Sequence, residues 1–151
     1  MGIDISPQYI AGFIDGEGSI CISEHRRYSR TVPNGHQLSL SIGNTNIKVL
    51  EDIAEWMREL GVKVLIRTYP PTDSRIAIAR KTYYQLFTYG NNLKIILPLL
   101  KLYIRVKSEQ LLVAEEFLKT MPGSNRPVGD DIRTYRSFLS RKLTWLNQGC
   151  P

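Results

Sequence analysis

Within four residues the hydrophobic period of this chain switches from helical to extended. From Ser6 to Asp15 the apolar residues Tyr9, Ile10, Phe13 and Ile14 recur at helical spacing, Ser6 is placed to cap the first turn and Pro7 suits its start. Gly16 and Gly18 stop that helix. From Ser19 the period is two, with Ile20 and Ile22 on one face and Cys21, Ser23 and His25 on the other, as a half-exposed strand requires.

The same patterning organises the rest of the chain. After a basic stretch, Arg26 to Arg30, and a turn at Pro33-Asn34-Gly35, the segment Gln37 to Ile42 alternates, so it should pair with the first strand as a hairpin. Ile47 to Leu60 carries Leu50, Ile53, Ala54 and Met57 on one stripe, with Gly61 placed to end the helix. Two further strands are expected at Val62 to Tyr69 and Arg75 to Arg80, joined across Pro70-Pro71-Thr72-Asp73. Helices are expected at Thr82 to Tyr89, Asn92 to Leu100 and Val106 to Met121, and at Asp131 to Asn147 after the break at Pro122-Gly123-Ser124-Asn125. The fold class is α+β: a four-stranded antiparallel sheet with helices on one face and the other face open to something wet and charged. Residues 1–151 show no internal repeat and no linker, and one domain is expected.

Charge narrows the partner. Twenty Lys and Arg against fourteen Asp and Glu leave +6 per chain, which favours a polyanion. No apolar run approaches the roughly 20 residues that span a bilayer, so no membrane partner is expected. The N-terminal residues Met1 to Ser6 lack a basic start followed by an apolar block, and Cys21 and Cys150 do not form a disulfide framework, so an intracellular location (cytoplasm, nucleoid or organelle) is expected. His25 and His36 have no Cys or His cluster beside them and are not zinc ligands.

Chemistry concentrates at the end of the first helix. Gly12 and Gly16 lie four apart on one face, a spacing that lets two helices approach backbone to backbone, by analogy with helix pairs in membranes. Asp15 and Glu17 stand at the helix C-terminus, where the macrodipole disfavours a carboxylate by about 0.3 to 1 kcal/mol. If the helix meets its twofold mate, two Glu17 side chains converge, and a divalent cation would relieve their repulsion. A carboxylate with the backbone carbonyl of Gly16, water and phosphate oxygens makes a hard-oxygen donor set suited to Mg²⁺.

The run Ile10-Ala11-Gly12-Phe13-Ile14-Asp15-Gly16-Glu17-Gly18, followed by Ser19 and an apolar strand, resembles the signature of the LAGLIDADG homing endonucleases. With the element order and the run His36-Gln37-Leu38-Ser39-Leu40, residues 6 to 121 resemble the single-motif, homodimeric branch. The resemblance implies a saddle-shaped sheet of αββαββα order and a homodimer that hydrolyses both strands of a long pseudo-palindromic site in double-stranded DNA. It also implies Mg²⁺, or another divalent cation such as Mn²⁺, short 3′ overhangs, and a target at an intron or intein insertion site. Glu17 stands where the family usually has Asp, and would be the metal-binding acid together with Gly16.

The family's polar residue after the second strand matches Asn46 best and Thr45 second, although either could instead cap the helix from Ile47. Its basic residue near the reaction matches Lys107 or Arg105; Lys107 suits solvent exchange better. DNA would lie on the open sheet face, against Ser23, His25, Arg27, Arg30, Gln37, Ser39, Ser41, Lys63, Arg67, Tyr69 and Arg75, a mixture able to contact phosphates and base edges. The alternative is a nucleic-acid binding module on the same fold without cleavage, an intron maturase or transcription factor, for which intron RNA is a possible partner.

Overall fold

The computed structural model describes residues 5–24, 35–71, 81–121 and 129–148. Helix α1 (Pro7–Glu17) begins as its sequence dictates: the Ser6 hydroxyl accepts a hydrogen bond from the Tyr9 amide, and Pro7 occupies the first turn. Ile10, Ala11 and Ile14 are its buried stripe. Strand β1 (Gly18–Glu24) follows without a loop. A Cβ on Gly18 would lie 2.8 Å from both the Cα and the carbonyl oxygen of Ile14, so only glycine lets the chain turn directly from helix into strand.

Strand β2 (His36–Asn44) pairs antiparallel with β1, Ile20 opposite Leu40 and Cys21 opposite Ser39. Helix α2 (Ile47–Glu59) buries Leu50, Ile53, Ala54 and Met57 and crosses to β3 (Leu65–Tyr69), which starts later than its apolar pattern suggested. One strand lies where the sequence placed a helix. Tyr83–Tyr89, expected as a helix, is strand β4, and it runs between β2 and β3 to give the order β1-β2-β4-β3. The physical reason is its composition: four aromatics and a Thr fit a pleated surface, and alternate residues divide between two faces, Leu86 and Thr88 buried and Gln85, Phe87 and Tyr89 on the other side. The expected strand Arg75 to Arg80 lies outside the described residues.

A 3-10 turn at Gly90–Asn92 leads to α3 (Leu93–Leu100), then α4 (Ser108–Lys119) and α5 (Asp130–Asn147). Ile20, Ile22, Leu38, Leu40, Ile42 and Leu86 face these helices and form one core with Leu50, Ile53, Ile96, Phe117 and Leu139. Strand β1 is a sheet edge, and α5 covers it: Ser140 Oγ donates to the Ile22 carbonyl at 2.9 Å and Asn147 Nδ2 to that of Ile20 at 2.8 Å. Carbonyls that could recruit a foreign strand are thereby satisfied within the chain. Among the described residues no helix is long and apolar enough to cross a membrane.

Candidate active site

Three segments distant in sequence meet at the C-terminal end of α1. The carboxylate of Asp15 accepts hydrogen bonds from the backbone amides of Arg105 (2.7 Å) and Lys107 (3.0 Å). These amides lie immediately ahead of α4, which has no side-chain cap of its own, so Asp15 supplies the anion that its N-terminal end favours. In return Lys107 Nζ donates to the Asp15 carbonyl at 2.6 Å, placing a cation at the negative end of α1. Burial works to raise the Asp15 carboxyl, but the backbone amides of Arg105, Lys107 and Val106 and the charge of Lys107 outweigh it and hold the group below its ordinary value.

This contact has a pH signature. A depressed carboxyl stabilises the fold above the ordinary value near 3.8, and that contribution disappears as pH falls through the lower folded value. Asp15→Asn turns an amide N–H toward one of the two backbone donors and should cost about 1 kcal/mol at neutral pH. Thermal melts of both proteins from pH 7 downward check this: the difference should be present at pH 7 and shrink as the pH falls below the ordinary carboxyl value.

Glu17, the last residue of α1, is exposed, unlike the clamped Asp15. Its Oε2 accepts from Asn44 Nδ2 at 3.3 Å. Asn44 Oδ1 in turn accepts from the Asn46 amide at 2.8 Å, while Asn46 Oδ1 accepts from the Lys48 amide at 3.0 Å and so caps α2. Of the polar run Asn44-Thr45-Asn46 at the end of β2, Asn46 is therefore the helix cap and Asn44 is the one beside the acid. Lys107 is brought to the end of α1 through its ammonium, whereas for Arg105 it is the backbone amide that is engaged, and its residue is exposed.

Among the described residues no group of three or more His, Cys, Asp or Glu gathers as a metal site. At the end of α1 one protomer offers an exposed carboxylate, Glu17, with the Gly16 carbonyl in the unpaired last turn of the helix. That donor chemistry fits a hard divalent cation whose remaining ligands come from elsewhere. Beside it, Gly12 and Gly16 are both exposed, and among the described residues a Cβ at either would meet no atom beyond the helix's own backbone within 4 Å. Tyr9 on the same helix is 41% exposed.

The sheet face away from the helices carries Ser19, Cys21 and Ser23 of β1, Gln37, Ser39, Ser41 and Gly43 of β2, Leu65, Arg67 and Tyr69 of β3, and Tyr83, Gln85, Phe87 and Tyr89 of β4. Ser23 and Arg67 are exposed, Gln37, Ser39 and Tyr69 half-buried, and Ser41 is nearly covered. Lys63 is exposed just ahead of β3, its amide held by Asn92 Oδ1 and its carbonyl by the Thr88 hydroxyl. His25, Arg27, Arg30 and Arg75 lie outside the described residues. Apart from Tyr69, the aromatic share of this face comes from β4 and was missed because that segment was read as a helix. Arg67 lies over the Phe87 ring, 5.0 Å from its centroid, and the Tyr69 and Tyr83 rings are 6.3 Å apart. The density of aromatic residues from Tyr83 to Tyr89 was the signal available for finding it.

Comparison with known proteins agrees with this geometry. The family model for LAGLIDADG endonucleases matches residues 10–113. The homing endonuclease I-CvuI, in complex with its target in the presence of 2 mM Ca, superposes with a TM-score of 0.72 at 17% identity over 93% of this chain and 80% of that one. I-CvuI with the I-CreI target in 2 mM Mg, where the DNA is not cleaved, gives 0.69 at 18% identity over the same shares. The archaeal intron-encoded homing endonuclease I-Vdi141I, complexed with DNA, gives 0.66 at 25% identity over 93% and 82%. No curated protein sequence matches significantly.

Proposed function

The chain belongs to the LAGLIDADG endonuclease family, and from that premise we propose that it is a site-specific endonuclease that cuts double-stranded DNA as a homodimer with a divalent metal. The observation that carries this reading is the contrast between the two acids of the motif. Asp15 is consumed in holding α4, while Glu17 stands exposed at the negative end of a helix, hydrogen-bonded by the Asn44 side chain. A carboxylate kept there against the helix dipole makes sense as a ligand and little sense as a scaffold.

Glu17 and the Gly16 carbonyl would hold the metal, Mg²⁺ or Mn²⁺. When bound, the metal supplies Lewis acidity for activating water and for stabilising charge on phosphorus and the leaving oxygen. Asn44, through its hydrogen bond to Glu17, would orient that carboxylate, with Asn46 two residues on as the polar residue the sequence assigned to the site. Lys107 neutralises the end of α1 and keeps further N–H donors for solvent or phosphate at the site; Arg105 is the second cation there. The exposed strip at Gly12 and Gly16 would receive the same strip of a second copy, which places two Glu17 side chains on one duplex.

The open face would follow the DNA, with Ser23, Gln37, Ser39, Ser41, Arg67 and Tyr69 joined by Gln85 from β4 and by Lys63 just ahead of β3; His25, Arg27, Arg30 and Arg75 are further DNA contacts expected from the sequence. A dimer carrying twice +6 and touching many phosphates releases counterions on binding. A duplex recovered by the protein from a random-sequence library provides the probe. Its log affinity against log salt should fall with a slope steeper than about −4. A nearly flat plot would remove the face as a DNA surface.

A further inference from the structure

Tyr83 opens β4 on the open face, and its hydroxyl sits where a side chain at position 43 would begin: a Cβ built on Gly43 would lie 1.6 Å from Tyr83 Oη and 2.4 Å from Cζ. No other residue type at position 43 allows this seat. Gly43 directly precedes Asn44, whose amide holds Glu17. The phenol is thus brought to the margin between the sheet face and the exposed acid, with the Tyr69 ring on its far side. Its hydroxyl makes no hydrogen bond among the described residues. We propose that Tyr83, seated on Gly43 beside the Glu17 and Asn44 pair, contacts the substrate at the reaction site, its O–H donating a hydrogen bond to a phosphate oxygen of the strand being cut.

The chemistry of the seat suits a donor. A phenol is protonated at neutral pH and presents an O–H donor. A neutral O–H can approach a phosphate without the repulsion that a second carboxylate would bring. It also adds no cation to compete with a metal at Glu17. Phe at this position would keep the ring over Gly43 and remove only the donor.

This inference rests on the endonuclease reading, and the two can fail separately. The probe is the selected duplex, normal or with one methylphosphonate, which lacks the charged oxygen, placed in turn at the scissile phosphate and its two neighbours. Single-turnover cleavage in Mg²⁺ is compared for the parent, Tyr83→Phe and Gly43→Ala, and binding is measured in EDTA. Tyr83→Phe should slow cleavage of normal DNA by roughly ten- to a hundredfold, as expected for one lost hydrogen bond to a charged oxygen. Gly43→Ala, which evicts the phenol, should slow it at least as much. At one of the three positions the methylphosphonate should bring the parent and Tyr83→Phe to the same rate or, if that duplex is no longer cut, to the same affinity in EDTA. Equal rates for the parent and Tyr83→Phe on normal DNA would overturn the inference and leave the endonuclease reading standing. So would a slower Tyr83→Phe whose deficit stays the same at every modified position. A parent protein that never cuts the DNA it selects would overturn both.

Discussion

Glu17→Gln should lower DNA cleavage at least about a thousandfold, the scale of losing a charge that positions a catalytic metal, while affinity for the same duplex in EDTA changes little. Gln keeps the shape of the side chain and an oxygen for the Asn44 amide, so the local contact survives. The charge removed is one the helix end disfavours, and in a dimer it is one of a converging pair. The melting temperature should therefore stay the same or rise. Lost activity with unchanged or greater stability is the mark of an acid retained for function. A Glu17→Gln protein that cuts both strands at the parent rate would leave a binding module as the better account.

Gly12→Leu should separate the dimer into folded monomers and abolish double-strand cleavage. A Cβ on the exposed Gly12 would meet no atom of the described residues beyond its own helix backbone within 4 Å, so a side chain can start there without obstacle in the monomer. In an exposed helix interior, replacing Gly by Leu even raises helix stability by several tenths of a kcal/mol to about 1 kcal/mol. Any loss must then come from the surface the glycine leaves open, where two backbones could not approach past a leucine. Sedimentation of both proteins checks this: the parent should sediment as a dimer and the variant as a monomer of undiminished helicity. A variant that remains dimeric would place the interface elsewhere.

The sequence disclosed α1, the hairpin of β1 and β2, and α2 because each has one clean period and a local stop signal: Ser6 as a cap, Gly18 at the junction, Asn46 before Ile47. It hid β4, since Tyr83, Leu86, Phe87 and Tyr89 also satisfy a helical spacing over so short a stretch, and only pairing with Ser41 and Ile42 on one side and Leu65 and Ile66 on the other decides between them. That misreading concealed Tyr83 and the purpose of Gly43. The acid at position 17 was legible from the motif, yet its neighbour was not, because β2 continues to Asn44 and brings that side chain rather than Asn46 to the end of α1. Asp15 looked unfavourable for the same reason as Glu17. The amides that satisfy it arrive from residues 105 and 107, which no local pattern connects to it.

Cleavage of the selected duplex by the unmodified protein, with each strand labelled separately and Mg²⁺ either supplied or removed with EDTA, tests the central claim most directly. The account predicts a single cut in each strand of one duplex, with short 3′ overhangs, at two protomers per duplex and only with the metal present. Tight binding of that duplex with neither strand cut in Mg²⁺ or Mn²⁺, at any protein concentration, would contradict it.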